Sequence, residues 1–171
     1  MNPGKGRLII STQRLELREV TLADAPFIRN LLTSPGWLQH ISDPEIASDK
    51  DAARYIREKV ISEYRNQGMG LWAVIEKSSG TATGLCGLLR RTHLKHVDLG
   101  YAFLPEFQGK GYAREAAKAC LEYGSNVIGL DRIIAVTKPD NPGSIRLLES
   151  LGMQEMDSVL WPSGVQLRIY G

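Results

Sequence analysis

A glycine-containing loop after a predicted strand holds the residues whose types and spacing most clearly indicate chemistry. It consists of Gln108, Gly109, Lys110, Gly111, Tyr112 and Ala113. The two glycines remove side chains where a ligand could approach the backbone. The loop opens a helix whose first N–H groups have no partner within the helix, and the helix dipole adds about half a positive charge there. Such an end binds a phosphate or a pyrophosphate.

The residues after these glycines exclude two familiar nucleotide-binding fingerprints. A dinucleotide site requires a third glycine three residues after the second, where this chain has Arg114. A P-loop requires Ser or Thr directly after its lysine, whereas Lys110 is followed by Gly111. A pair of glycines at this spacing also fits a tight strand-to-helix turn, so the loop alone leaves a purely structural role open.

Hydrophobic periodicity predicts the strands and helices that must position this loop. Strands are predicted at residues 8–20, 71–76, 83–91, 97–104, 132–137, 153–159 and 166–170. Helices are predicted after Thr21 or Asp24 and at about residues 49–66, 112–126 and 142–151, with a loop at residues 34–48. This order indicates an α+β fold with a mixed, mostly antiparallel sheet of about seven strands flanked by about four helices.

The composition is that of an ordinary globular domain and argues against several classes of function. We expect one domain over residues 1–171. The net charge of +2 argues against nucleic-acid binding, and no apolar stretch approaches the length of a membrane span. The N-terminus lacks a signal-peptide pattern and two cysteines make no disulfide framework, so we expect a cytoplasmic protein. The three histidines are scattered, so no metal is expected.

Two segments of the chain resemble sequence motifs of the GNAT superfamily of N-acetyltransferases. Gln108, Gly111 and Ala113 fit its motif A, Q/R-x-x-G-x-G/A. Residues 141–153 resemble its motif B, which begins with Asn and ends in Gly-Phe, although Met153 replaces the phenylalanine. The match spans nearly the whole chain in the right order and spacing.

Two further segments resemble the ribosomal-protein (alanine/serine) N-acetyltransferase branch of this superfamily. They are the opening at residues 11–18, which fits T-x-R-L-x-L-R, and the Leu-Gly-Tyr sequence at residues 99–101. The resemblance implies a GNAT-like fold in which the fourth predicted strand, 97–104, splays from the fifth, 132–137. A bulge in the fourth strand is expected to open this V for a thioester.

The resemblance also implies how acetyl-CoA, the cosubstrate of this superfamily, is bound. Backbone N–H groups of residues 109–113 are expected to hold its pyrophosphate. The strand end at Phe103 and Leu104 is expected to pair with the pantetheine arm. Asn141 and Ser144 are expected to lie near the pantetheine and the sulfur.

For the chemistry, many family members use a motif B tyrosine as acid, but Leu148 stands at that position. Ser144 is the substitute suggested in the ribosomal-protein branch, although it also fits a helix hydroxyl bonded to backbone. Asp98 is the candidate base, because relatives often carry Glu there; an exposed strand carboxylate is the alternative. Cys86 and Cys120 fall on apolar positions, so we expect direct transfer rather than an acyl-enzyme.

The resemblance places the acceptor pocket in the loop that holds Trp37, Gln39 and His40, with Trp161 on the opposite wall unless it only anchors its loop. The acceptor is expected to be a protein N-terminal amine or a small-molecule amine. The missing motif B tyrosine leaves a non-catalytic acetyl-CoA-binding module as the alternative function. Monomer and homodimer both fit the sequence.

Overall fold

A mixed sheet of eight strands, ordered β1-β2-β3-β4-β5-β6-β8-β7, runs through the part of the chain that the computed structural model describes, residues 5–171. The strands are β1 (Leu8–Ser11), β2 (Leu15–Arg18), β3 (Leu71–Glu76), β4 (Ala82–Leu89), β5 (Val97–Phe103), β6 (Ile133–Thr137), β7 (Glu155–Leu160) and β8 (Gln166–Tyr170). Neighbours are antiparallel except β5 and β6. The first four residues, part of the stretch predicted to lack a signal peptide, lie outside the described residues.

Helices cover this sheet. They are α1 (Ala25–Leu32), α2 (Pro35–His40), α3 (Asp49–Tyr55, continuing through a π-helical segment at Ile56–Ile61 to Ser62–Gln67), α4 (Tyr112–Tyr123, with a π-helical extension at Gly124–Ile128) and α5 (Pro142–Ser150). None of the helices within the described residues is long and apolar enough to cross a membrane.

Two sequence predictions were wrong in detail. Residues 34–48 are not all loop, because Ser34 and Pro35 start the short helix α2, with proline in the first turn where its missing N–H is harmless. Residues 8–20 are not one strand but two antiparallel strands, because the chain turns at Thr12. The Thr12 N–H donates to the Leu15 carbonyl at 2.9 Å and closes this turn. The sheet therefore has eight strands rather than about seven.

Two apolar clusters lie on opposite faces of the sheet. Along β3, Trp72 and Val74 belong to the cluster that packs under α4, whereas Ala73 and Ile75 belong to the cluster under α1 and α3. Successive side chains of a strand point to opposite faces, so the helices form one layer on each side. The predicted apolar face of α4 is confirmed by the complete burial of Cys120.

The predicted splay of the sheet is confirmed between β5 and β6. Their parallel pairing consists of Val97 with Ile133 and Asp98 with Ile134, after which β5 continues along β4 and β6 continues along β8. The register of β4 with β5 runs regularly from Asp98 to Phe103. The V therefore opens by divergence of β6, and not by the bulge expected in the β5 pairing.

Candidate active site

The opening between β5 and β6 forms a cleft of about 1300 Å³. Its wall is built from α2, α3, β5, β6, the loop before α4 and the start of α5. It contains most of the predicted site residues: Trp37, Gln39, His40, Asp98, Phe103, Gln108, Gly109, Gly111, Tyr112, Ala113, Asn141, Ser144 and Trp161. Leu104 and Lys110 lie outside that wall. The splay of the sheet thus brings residues from distant parts of the chain to one cavity.

The backbone of β5 alternates between its partner strand and the cleft. The Leu104 N–H donates to the Thr83 carbonyl at 3.0 Å, so every second residue back along β5, beginning with Ala102, exchanges hydrogen bonds with β4. Tyr101 and Phe103 therefore turn their N–H and C=O groups toward the opposite edge. Because β6 has already diverged, these groups face the cleft and a ligand.

The glycine loop reaches the helix through backbone conformations that favour glycine. A 3₁₀ turn at Pro105–Phe107 is followed by Gly109 with φ of 73° and Gly111 with φ of 80°. Gly111 is the N-cap of α4, and its carbonyl accepts the first helical hydrogen bond, from the Glu115 N–H at 3.1 Å. The N–H groups of the first turn consequently point out of the helix, as an anion site requires.

A brace that the sequence did not reveal holds this loop from behind. Arg14 Nε donates to Glu115 Oε2 at 2.7 Å, and Arg14 Nη1 donates to the Lys110 carbonyl at 2.9 Å. Thr12 Oγ1 donates to Glu115 Oε1 at 2.7 Å. The turn between β1 and β2 therefore fixes the loop to the first turn of α4. Sequence reasoning missed it because Arg14 and Glu115 are 101 residues apart.

Three residues predicted to bind the cosubstrate make contacts within the protein. Gln108 Nε2 donates to the Phe103 carbonyl at 3.0 Å and so ties the loop to the end of β5. The Lys110 ammonium lies 5.0 Å from the centre of the Phe107 ring. Leu104 is buried, and its N–H and C=O bond within the chain, so its backbone is not free to pair with a ligand.

The start of α5 presents a pair of hydroxyl groups to the cleft. Asn141 caps the helix as predicted, its side chain accepting from the Ser144 N–H at 3.1 Å. The Ser144 and Tyr101 hydroxyl oxygens lie 2.7 Å apart. Burial raises the pKa of Tyr101 to about 12, so this phenol stays protonated at neutral pH. Leu148, which replaces the family tyrosine, is fully buried in the core.

Asp98 is a buried carboxylate and not the exposed one that the sequence left open. Its side chain is 2% exposed, and Oδ2 accepts from Arg91 Nε at 2.8 Å. Oδ1 is buried and makes no hydrogen bond of good geometry among the described residues, although the Val136 N–H lies near enough to the carboxylate to lower the Asp98 pKa. Burial raises the pKa of Asp98, and the Arg91 guanidinium works against that rise. Asp98 lies in the cleft wall at the point where β5 and β6 part.

The predicted acceptor residues of α2 line the same cleft as Asp98 but lie toward the glycine loop, since a Cβ at Gly36 would come within 3.9 Å of Gln108 Nε2. Within residues 5–171, the buried side-chain polar atoms without a hydrogen-bond partner are Trp37 Nε1, His40 Nδ1 and Asp98 Oδ1, and all three residues line the cleft. Unpaired buried polar atoms are rare in folded proteins, so their presence in the wall of one cleft is consistent with a binding site. Lys138 Nζ donates to the Gln39 carbonyl at 2.6 Å and joins the two walls.

Arg91 is a residue of the Asp98 end of the cleft that sequence reasoning missed. Its guanidinium lies 5.2 Å from the centre of the Trp161 ring, which in turn meets the His93 ring edge-on at 4.3 Å. Trp161 therefore anchors its loop and lines the cleft at once. The signal available was Asp98: a carboxylate on a buried strand needs a cation, and Arg91 follows the strand that pairs with it.

The cysteines and possible metal ligands lie outside this chemistry. Cys86 and Cys120 are buried, with sulfurs 3.6 Å apart, and burial raises the pKa of the Cys120 thiol. Neither lines the cleft. No group of three or more His, Cys, Asp or Glu side chains that could hold a metal occurs in the described part of the chain.

Comparison with known families assigns the fold and its activity class. The family described as "Acetyltransferase (GNAT) domain" matches residues 14–154. The chain therefore belongs to the GNAT acetyltransferase family, and it is an acyl-CoA-dependent N-acyltransferase. This confirms the family resemblance that the two motifs indicated.

Individual relatives agree with this assignment. The chain is 33% identical over 150 residues to the uncharacterized protein YkkB of Bacillus subtilis, covering 83% of both chains. It is 24% identical over 144 residues to spermidine N(1)-acetyltransferase of Vibrio cholerae, covering 83% of this chain and 80% of that protein. RimL, a ribosomal alpha-N-protein acetyltransferase solved with coenzyme A, superposes with a TM-score of 0.81 at 16% identity over 96% of each chain. At that identity the structural likeness shows the fold alone.

Proposed function

We propose that this enzyme transfers the acetyl group of acetyl-CoA directly to an amine bound in the same cleft. The supporting observation is the order of the groups along β5: Asp98 at the start of the strand, the cleft-facing backbone of Tyr101 in the middle, and the glycine loop beyond its end. A cosubstrate with a phosphate end and a thioester end matches this order, and the acceptor amine then approaches from the Asp98 side.

The phosphate end is proposed to rest on backbone N–H groups of the loop and the first turn of α4. Gly109 and Gly111 keep that surface free of side chains, and the brace from Arg14 keeps it rigid. The pantetheine arm is proposed to pair with the Phe103 N–H and the Tyr101 carbonyl, beside Asn141 in the opposite wall.

At the thioester, the amine nitrogen forms a bond to the carbonyl carbon, the C–S bond breaks, and the thiolate takes up a proton. The Tyr101 N–H, turned toward the cleft, is proposed to donate to the carbonyl oxygen as charge develops there. Asp98 is the proposed base that takes the ammonium proton, through water, because its carboxylate lies in the cleft wall and burial raises its pKa. The Ser144 hydroxyl, held by the Tyr101 hydroxyl, is the proposed donor to the departing sulfur.

Two relatives suggest different acceptors. One is named a spermidine N(1)-acetyltransferase and one a ribosomal alpha-N-protein acetyltransferase. For this chain the acceptor is proposed to be a primary amine, from a small molecule or a protein N-terminus. Leu148 is buried and stands where many family members have an acid. A second candidate function is therefore a module that binds acetyl-CoA without transferring its acetyl group.

One screen tests both candidates. The protein is mixed with acetyl-CoA and with amino acids, polyamines, aminoglycosides, or peptides beginning with Ala, Ser or Met, and released thiol is measured. We expect thiol release that depends on one class of amine. Tight acetyl-CoA binding by calorimetry, with no thiol release from any amine, would favour the binding module.

A further inference from the structure

The cleft wall carries more cationic than anionic side chains. The described residues that line it include six cations and two carboxylates. The cations are Lys59, Arg90, Arg91, Arg114, Lys138 and Arg146, and the carboxylates are Glu63 and Asp98. Arg114 and Arg146 belong to α4 and α5, the two helices that start at the cosubstrate end. The remaining four cations share the rest of the wall with two carboxylates. A polycationic acceptor would meet net repulsion there, whereas an acceptor with an anionic group would be attracted.

Arg91 is the cation in this wall whose geometry is fixed from two sides. Its Nε donates to the buried Asp98 at 2.8 Å, and its guanidinium carbon lies over the Trp161 ring. Within residues 5–171 its two terminal amino groups donate no hydrogen bond. A guanidinium is planar and presents paired donors that match a carboxylate, so its remaining edge is an oriented anion site.

A counterion for Asp98 alone would not require this arrangement. A lysine or a fully buried arginine would serve that purpose, but the Arg91 side chain is 35% exposed and lines the cleft. Trp37 also lines the cleft, although its Nε1–H is buried. Arg91 thus supplies the oriented donors for an incoming oxygen, beside the proposed base Asp98.

We propose that the amine acceptor also carries a carboxylate, and that the terminal amino groups of Arg91 bind that carboxylate. This assignment rests on the proposed transfer of acetyl to an amine and narrows its acceptor class. A free amino acid supplies such a carboxylate through its own carboxyl group, and a peptide supplies it through an acidic residue next to its N-terminus. Polyamines lack it altogether.

The test compares matched acceptors with and without that carboxylate. Because alanine has a more basic amine than alaninamide, rates are compared at equal concentrations of neutral amine. Alanine is paired with alaninamide, the dipeptide amide Ala-Glu-NH₂ is paired with Ala-Gln-NH₂, and spermidine serves as the polycation. We expect kcat/KM to favour the carboxylate member of one pair by about tenfold to a hundredfold, the range for a hydrogen bond to a charged group. The pair that shows the preference identifies the source. Equal rates within both pairs, or a preference for spermidine, would overturn the assignment.

Variants of Arg91 locate the effect. In Arg91→Gln we expect the ratio of kcat/KM between the carboxylate acceptor and its amide partner to fall by that same factor, while acetyl-CoA affinity stays unchanged. A loss shared by both acceptors reports on the base, because Arg91 also bonds Asp98. Arg91→Lys keeps a charge beside Asp98 and guards against a folding defect; it should recover only part of the preference. Arg65→Gln, an exposed arginine of α3 outside the cleft wall, is the matched control. An equal loss for both acceptors in Arg91→Gln would argue against a carboxylate contact.

Calorimetry keeps this question separate from catalysis. With coenzyme A present, we expect the carboxylate acceptor of the preferred pair to bind more tightly than its amide, and Arg91→Gln to abolish the difference. Such binding without any acetyl transfer would contradict the proposed function while supporting the carboxylate site. Transfer to amines without a difference in binding between the two acceptors would support the proposed function and contradict the carboxylate site.

Discussion

The two ends of the cleft are lined by different kinds of chemical groups. At the end proposed for the cosubstrate the groups that face the cleft are backbone N–H groups, from the loop before α4 and from the free edge of β5. At the end proposed for the acceptor they are the side chains of Asp98, Arg91 and Trp161. A ligand common to a whole family can be bound by backbone, whereas a particular acceptor needs side chains that differ from one member to another.

If this contrast holds, the largest single loss should come from the acceptor end, in Asp98→Asn. We expect kcat at neutral pH to fall about 10²–10⁴-fold, the usual effect of removing a general base, with acetyl-CoA affinity unchanged. An amide acceptor without a carboxylate should be used, because Arg91 then has nothing to hold and a loss reports on the base. The exposed Asp131→Asn serves as control.

The pH profile sharpens the same test. A base must be ionised to accept a proton, so wild-type kcat/KM should fall as pH drops through the Asp98 pKa. Burial raises the pKa of Asp98, so this fall should occur at a higher pH than the ordinary aspartate value of about 4. In Asp98→Asn that acidic limb should vanish. An unchanged profile in the variant would leave positioning and solvent as the means of proton removal.

At the cosubstrate end, a side chain placed on the loop should weaken acetyl-CoA binding and nothing else. In Gly111→Val we expect affinity to fall by about tenfold or more, equivalent to about 1.4 kcal/mol or more, because φ is 80° and the new Cβ would come within 3.3 Å of Arg14 Nη2, which disturbs the brace and the loop that it holds. Gly129 has the same φ of 80° beyond the far end of α4, so Gly129→Val carries the same strain away from the cleft. Calorimetry showing equal affinity in both folded variants would refute the loop assignment.

The hydroxyl pair should give a smaller effect. Loss of one hydrogen bond is worth about 0.5–1.5 kcal/mol, so Ser144→Ala and Tyr101→Phe should each lower kcat by about two- to tenfold without changing acetyl-CoA affinity. If the two hydroxyls act as one unit, the double variant should lose no more than either single variant. Ser150→Ala, an exposed hydroxyl at the end of the same helix, should have no effect. If the losses of the two single variants instead add in the double variant, the Ser144 and Tyr101 hydroxyls act independently.

The last prediction is that neither cysteine is acetylated by the cosubstrate. Direct transfer predicts that intact-mass spectra after incubation with acetyl-CoA alone show no added acetyl group, because both thiols are buried away from the cleft. A stoichiometric adduct on Cys86 or Cys120 would instead require an acyl-enzyme.

The same contrast explains which features the sequence predicts. The glycine loop and the capped start of α5 are local signals, in which neighbouring residues determine both conformation and role; Gly111 and Asn141 are examples. Arg14 was missed because its partner Glu115 is 101 residues away and no local pattern couples them. For Arg91 the nearby Asp98 was a signal, but the contact with Trp161 comes from a distant loop. Asp98 was predicted by its place on the strand, but its burial depends on how β6 diverges, which the sequence does not show.

The free edge of β5 has a consequence for amide hydrogen exchange. Gly100 and Ala102 donate to β4, whereas Tyr101 and Phe103 turn their N–H groups into the cleft. Within one short strand, slow and fast exchange should therefore alternate residue by residue in the ligand-free protein. When a ligand pairs with this edge, the fast amides should slow while their neighbours hardly change, so that β5 itself reports how far along the cleft the ligand extends.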